Sequence, residues 1–218
     1  MRSEYIFTIV PYKLTEADKS EIEKDCNKKW NQAYKSYKNN LKEYLHKQQR
    51  GRCAFCRCRI PKGTSDITLE HIAPKSKYKN YRALAENLVN ACIKCNRSKR
   101  EAETFSDPAK SAQTFPKTSE GFIIVNPYYD NYEDYIEFID DVIIQAKPGS
   151  GDKGKNTITF YNLARTELAE ERAMEFKINY KNLNNKLMQR LLCDNSDEDD
   201  IRSQIKAIID NMPNWICP

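Results

Sequence analysis

The sequence predicts an α+β protein, with a small metal-stapled core between an N-terminal helical segment and a C-terminal mixed, largely helical region. Three observations carry this prediction. Apolar residues recur at helical spacing before residue 50, two C-x-x-C pairs bracket a β-branched run, and β-branched stretches precede long helical patterns in the second half. The expected segments are 1–50, 51–105 and 106–218, the last being the expected partner-binding region.

Thr15 followed by Asp18 has the form of a capping box. Behind it Ile22, Cys26, Trp30, Ala33, Tyr34, Tyr37, Leu41, Tyr44 and Leu45 make a helical stripe, and Gly51 suits its end. Unbroken, that helix would be ~50 Å long at about 1.5 Å per residue. Asn39-Asn40 is its weakest place, so two helices are the alternative. Tyr5–Val10 reads as a strand. Ile67–Leu69 reads as a strand leading into Glu70-His71, and a helix is expected from Cys95 to about Glu103. Residues 106–121 read as a linker or exposed loop. Phe122–Val125, Tyr135–Ala146 and Thr157–Tyr161 have strand-like composition, with turn-rich Pro148–Lys155 between the last two. Leu168 to about Leu192 suggests a long helix, and Ile201 to Ile209 a short one capped by the acids of 194–200.

The net charge of +5 is unevenly spread: +4 over residues 1–50, +9 over 51–100 and −8 over 101–218. A basic middle segment suits a polyanion such as nucleic acid, or forms a solvated basic face. No run approaches the ~18 apolar residues of a membrane span, so no membrane association is expected. The N-terminus does not look secretory. C-x-x-C pairs in a reducing compartment bind metal more readily than they form disulfides, which makes a cytoplasmic location the expectation.

Cys53-Ala-Phe-Cys56 and Cys92-Ile-Lys-Cys95 are separated by 35 residues. Each pair brings two thiolates to one ion, and two pairs complete a tetrahedral four-cysteine zinc site. Such a site has no open ligand position, so it is structural. Cys58 is a spare, or an alternative ligand; Cys26, Cys193 and Cys217 read as ordinary cysteines. Between the pairs lie Glu70-His71, then Asn87 16 residues after His71, with Asn96 directly after the last cysteine.

These residues, read as Glu-His-Ile-x-Pro and then Asn-Leu-Val-x-Ala-Cys-x-x-Cys-Asn-x-x-Lys, resemble the zinc-stabilised, McrA-like HNH nucleases over about residues 51–104. The resemblance implies a ββα-metal core holding one divalent ion against a scissile phosphate. Glu70 stands where that family often has Asp or His, and Asn96 where it often has His. It implies His71 as general base, since an imidazole with pKa near ~6.5 can accept a proton at neutral pH. Asn87, by its side chain or neighbouring backbone, would orient that imidazole. Glu70 and Asn96 would hold Mg²⁺ or Mn²⁺ through oxygen, and the products would be a 5′-phosphate and a 3′-hydroxyl.

Lys75, Lys77, Lys79, Arg97, Lys99 and Arg100 flank this centre as candidate phosphate contacts to DNA or RNA, with Arg57 and Arg59 as weaker candidates. Outside the core, the Trp-containing helical segment, Asn126-Pro-Tyr-Tyr-Asp130 and Thr157-Ile-Thr-Phe-Tyr-Asn-Leu-Ala-Arg165 resemble, in their order, the PtuB-like HNH subunits of Septu-type and retron-associated anti-phage systems. That resemblance implies an ABC-type ATPase partner. The rival readings are a non-catalytic zinc-stabilised nucleic-acid-binding module and an adaptor with an idle core.

Overall fold

The capping box forms as expected: Asp18 N–H donates to Thr15 Oγ1 at 3.1 Å, and Thr15 N–H to the Asp18 carboxylate at 3.0 Å. It opens α1 (Glu16–Lys24). The architecture comes from a computed structural model that describes residues 3–112, 114–175, 203 and 204. The apolar stripe then divides earlier than Asn39-Asn40. Asp25 accepts the Tyr34 backbone N–H at 2.9 Å, Tyr34 adopts φ 56°, and the chain turns into α2 (Lys35–Gln48). Helix α2 has no cap of its own. The Glu21 carboxylate from α1 accepts the N–H groups of Ser36 and Tyr37 at 3.1 and 2.8 Å, satisfying orphan donors of its first turn. Asn40 sits inside α2 and ties it to Asp18 at 3.1 Å. The helix ends when Arg50 takes φ 53° and the N–H of Gly51 donates to His46 O at 2.8 Å.

The core hairpin pairs β1 (Ile67–His71) antiparallel with β2 (Leu88–Cys92), with Ile67 opposite Cys92 and His71 opposite Leu88. Helix α3 (Ile93–Lys99) follows without a break, its first turn capped by the Cys92 sulfur. Gln49 at the end of α2 joins the edge of β2: its amide nitrogen donates to Asn90 O at 2.8 Å and its carbonyl accepts Asn90 N–H at 2.9 Å. The open edge of β2 is thereby met by a buried side chain.

Three strand expectations change. Tyr5–Val10 is extended but has no ladder; a 3₁₀ turn spans Ser3–Tyr5, and Ile9 N–H donates to Pro127 O at 2.9 Å. Phe122–Val125 makes one bridge, to Phe105, while its Val125 N–H goes to the Thr157 hydroxyl at 2.7 Å instead of to a strand. Thr157–Tyr161 is helical. Gly151 enters α5 (Asp152–Tyr161) at φ 69°, and Thr157, Ile158 and Tyr161 share its buried face. That burial outweighs the β preference of Thr-Ile-Thr-Phe-Tyr. Tyr135–Ala146 does form strands, as the hairpin β3 (Ile136–Ile139) and β4 (Ile143–Ala146), turned by Asp140 and Asp141 at positive φ.

The 106–121 stretch is no free linker. It contains α4 (Asp107–Lys110), and Phe115 packs with Phe105 and Phe122 at ring distances of 5.7 Å. Helix α6 (Thr166–Glu175) starts the expected long helix; its continuation, the acidic run of 194–200 and most of the last expected helix lie outside the described residues. One hydrophobic core joins the three segments, from Tyr5 and Leu41 through Phe55, Leu88 and Phe105 to Tyr132 and Leu168. Among the described residues, no helix is long and apolar enough to cross a membrane.

Gly154 fixes how closely α5 approaches the β3–β4 hairpin, because a Cβ there would lie 2.2 Å from Tyr135 O. Backbone cannot yield as a side-chain tip can. Gly154→Ala is expected to destabilise the fold by about 1–3 kcal/mol, seen as a lower midpoint in thermal or denaturant unfolding. An unchanged midpoint contradicts this packing.

Candidate active site

The two C-x-x-C pairs meet. Cys53 and Cys56 come from the turn after α2, Cys92 from the end of β2 and Cys95 from the first turn of α3, and their sulfurs all lie within 4.8 Å of one another. Four convergent, largely buried sulfurs suit a tetrahedral thiophilic ion, and the cluster could bind zinc. Cys58 stands outside the cluster and contributes its carbonyl, which accepts Cys53 N–H at 2.9 Å. Cys26 is exposed; Cys193 and Cys217 lie outside the described residues.

At the other end of the hairpin, His71 is buried and its Nε2 lies 3.0 Å from Arg82 O. A carbonyl only accepts, so Nε2 carries the proton and Nδ1 keeps its lone pair. The Trp30 ring meets the imidazole edge-on at 4.5 Å. Burial pushes the imidazole pKa down to about 3, with the nearby charges of Lys75, Lys99 and Arg82 adding to the effect and the Arg82 carbonyl opposing it.

Glu70 is also buried, and its carboxylate is engaged by Lys99 Nζ at 2.9 Å. Lys99 donates to His71 O as well, at 2.7 Å. Burial raises the Glu70 pKa while the Lys99 ammonium holds it down. Thr68 and Glu70 share a face of β1, being two residues apart. The α3 side chains Asn96 and Lys99 reach the same face: Asn96 Nδ2 donates to Thr68 Oγ1 at 2.9 Å, one turn before the Lys99–Glu70 pair. Asn96 and Glu70 therefore reach the same face of the hairpin, one with an amide oxygen and one with a carboxylate, both hard donors. That donor set fits a divalent ion that keeps several waters, although Lys99 already meets one of its oxygens.

Asn87 directs its hydrogen bonds to the loop and not to the imidazole. Its amide accepts Ala73 N–H at 2.7 Å and donates to Ala73 O and Tyr81 O at 3.2 and 3.1 Å, while its backbone carbonyl accepts Ile72 N–H at 2.8 Å. It pins both ends of the 72–87 loop, and the loop brings Arg82 O to His71. Arg82 in turn anchors the α1–α2 connection through Cys26 O, Lys28 O and the Tyr34 hydroxyl.

Lys75, Lys79, Arg97 and Arg100 are exposed, and Lys77 is exposed with Glu103 3.6 Å away. Lys99 is not a surface contact, because the α3 turn that presents Asn96 to Thr68 also points Lys99 into the hairpin. Arg57 is likewise buried; Arg59 is exposed and paired with Glu175 at 2.7 Å. Sequence reasoning did not identify Trp30 or Arg82 as parts of the centre, and no local signal marks them; it read Lys99 as a flanking phosphate contact, where the structure pairs it with Glu70 and His71 O.

Residues 53–101 match the family model described as HNH endonuclease. The chain contains an HNH endonuclease domain. It is similar to two curated proteins named Septu protein PtuB. The one from Bacillus mycoides (strain KBAB4) is 34% identical over 158 residues, which are 64% of this chain and 52% of that relative. The one from Bacillus thuringiensis is 24% identical over 143 residues, 66% of this chain and 46% of the relative. The chain spans about half the length of the curated relatives it matches. No solved structure matches it significantly.

The geometry of the HNH domain sets two stability effects. Asn87→Ala strands buried partners at Ala73 and Tyr81 and is expected to cost about 1–3 kcal/mol of stability, measured by urea unfolding; a neutral effect contradicts the loop-pinning role. For His71, a folded pKa depressed to about 3 means that the neutral form favours folding. Its contribution is full above the ordinary histidine pKa, about 6.5, declines as pH falls below it, and is lost as pH falls through about 3. The stability difference between wild type and His71→Asn is therefore expected to shrink from pH 7 to pH 4. A difference independent of pH over that range overturns the assignment.

Proposed function

We propose that this chain is a metal-dependent endonuclease hydrolysing phosphodiester bonds of DNA or RNA, acting as effector of a bacterial anti-phage complex with an ABC-type ATPase. One observation carries the catalytic reading. His71 is held neutral with its Nε2–H on a fixed carbonyl and a lone pair left on Nδ1, one residue after the Glu70 that pairs with Lys99. An imidazole so fixed can accept a proton from water. The negative charge of an arriving phosphate raises its proton affinity from the low value that burial imposes.

Glu70 and Asn96 would hold Mg²⁺ or Mn²⁺. Such an ion supplies Lewis-acid polarisation of the phosphate and stabilises the departing 3′-oxygen. Lys99, already on Glu70 and on the His71 carbonyl, adds a positive charge beside the same oxygens. Lys75 lies close enough to depress the proton affinity of both His71 and Glu70, and with Lys77, Lys79, Arg97 and Arg100 it would hold the nucleic-acid backbone without base preference. The four cysteines would hold one structural zinc. The defence role and the ATPase partner rest on similarity to the PtuB proteins, together with the negatively charged C-terminal region, which suits protein contact better than nucleic-acid contact.

A specific observation favours a second reading. The Lys99–Glu70 pair neutralises the one carboxylate expected to hold the catalytic ion, as a non-catalytic nucleic-acid-binding module would tolerate. Plasmid and RNA cleavage with Mg²⁺ or Mn²⁺, assayed with the ATPase present, separates the two. Cleavage by wild type and its loss of at least ~100-fold in His71→Ala is the expected outcome. Equal cleavage by both proteins sinks the base assignment, and binding without cleavage favours the module. Purified protein is also expected to carry about one zinc per chain, lost with the fold in Cys92→Ser. Metal analysis finding none contradicts the four-cysteine assignment.

A further inference from the structure

Three arginines, Arg57 and Arg172 fully buried and Arg165 half-buried, lie on the segments that meet the four-cysteine cluster. Arg165 precedes α6, and its Nη1 is fixed by two carbonyls closing α5, Tyr161 O at 3.0 Å and Asn162 O at 2.7 Å. That grip turns Nη2 onto the cluster, 3.6 Å from Cys95 Sγ and 4.0 Å from Cys92 Sγ. Arg57, directly after Cys56, is fully buried between the rings of Phe7 and Tyr132, its guanidinium carbon 3.7 and 4.1 Å from their centres. None of its three side-chain nitrogens has a hydrogen-bond partner among the described residues. Arg172 on α6 is fully buried as well and reaches Val142 O at 2.9 Å and Cys56 O at 3.5 Å. The nearby carboxylate of Glu175 is occupied by Arg52 and Arg59 at 2.6 and 2.7 Å. Among the described residues, Arg57, Arg165 and Arg172 have no carboxylate partner.

A guanidinium removed from water without a counter-charge is costly, and a cation left so is paired with some anion. Four thiolates around one divalent ion carry two net negative charges. We propose that Arg57 and Arg165 are the counter-ions of a four-thiolate metal centre, and that through Arg165, with Arg172 on the Cys56 carbonyl, this centre clasps α6 to the HNH domain. The inference rests on the reading of the cysteines as a zinc site. Its consequence is directional. Arg165 donates to Cys92 and Cys95 and to neither cysteine of the first pair, so it lowers the nucleophilicity of those two sulfurs in particular. Removal of the metal leaves Arg57 buried and Arg165 against uncharged thiols, and α6 loses its electrostatic hold.

The test uses the full chain as purified, with zinc content measured first, as wild type, Arg165→Met and Arg165→Lys. Arg165 is half-buried and outside the catalytic machinery, so Arg165→Met is expected to fold and to retain one zinc. Limited alkylation by N-ethylmaleimide, resolved by cysteine with mass spectrometry, is expected to run roughly tenfold or more faster at Cys92 and Cys95 in Arg165→Met, with Cys53 and Cys56 little changed. Arg165→Lys, which keeps the charge and loses the fork, falls between. Hydrogen exchange across residues 162–175 is expected to rise when zinc is chelated from wild type. Uniform acceleration at all four cysteines, or none, in zinc-loaded Arg165→Met overturns the counter-ion role while leaving the zinc site standing. Should Arg165→Met not fold, wild-type rates at all four cysteines in Arg165→Lys overturn it in the same way. Wild type without zinc fails at the first measurement and removes the underlying reading too.

Discussion

The convergence of Cys53, Cys56, Cys92 and Cys95 is the constraint on which the rest of the structure depends. A two-stranded hairpin of five-residue strands is marginal by itself. Here its open end is gathered into one cluster with the turn after α2 and the first turn of α3. Once β2 runs into α3 at the cluster, the helix lies across one face of β1, and Asn96 and Lys99 reach Thr68 and Glu70 from above. The position of the candidate catalytic residues is therefore inherited from sulfurs at the opposite end of the same hairpin.

The second constraint is the loop between the strands. It has no regular element beyond two 3₁₀ turns, and its shape depends on the buried amide of Asn87, which from the loop's end satisfies groups of Ala73 at its start and Tyr81 in its middle. Arg82 then works in two directions, its carbonyl on His71 and its guanidinium on the α1–α2 connection that carries Trp30. The imidazole is thus oriented by backbone and packing, with Asn87 acting one step removed.

The N-terminal helices and the described part of the C-terminal region, to residue 175, are packed on this centre as parts of one core. Helix α2 meets the edge of β2 through Gln49, and Tyr128, from the Asn-Pro-Tyr-Tyr-Asp segment, donates to Ala85 O and Leu88 O beside the loop. Helix α6 reaches the first cysteine turn through Arg172 and Glu175.

The sequence by itself located the four cysteines that converge and marked Glu70, His71, Asn87 and Asn96 as the candidate residues between and beside them. Spacing around two rigid C-x-x-C turns leaves little conformational freedom, so those positions are legible without coordinates. The capping box and the β1 strand were legible for the same local reason. Where long-range burial competes with local preference, composition misled. Thr157–Tyr161 carries β-branched residues yet lies in a helix because one face of that helix is covered, and Lys99 reads as a surface cation yet is buried by the turn that places Asn96. Only the tertiary structure decided that Trp30 and Arg82 touch His71, that Arg57 is buried between Phe7 and Tyr132, or that Arg165 reaches the sulfurs of Cys92 and Cys95. Those contacts join residues far apart in the chain, and no local pattern of residue types encodes them.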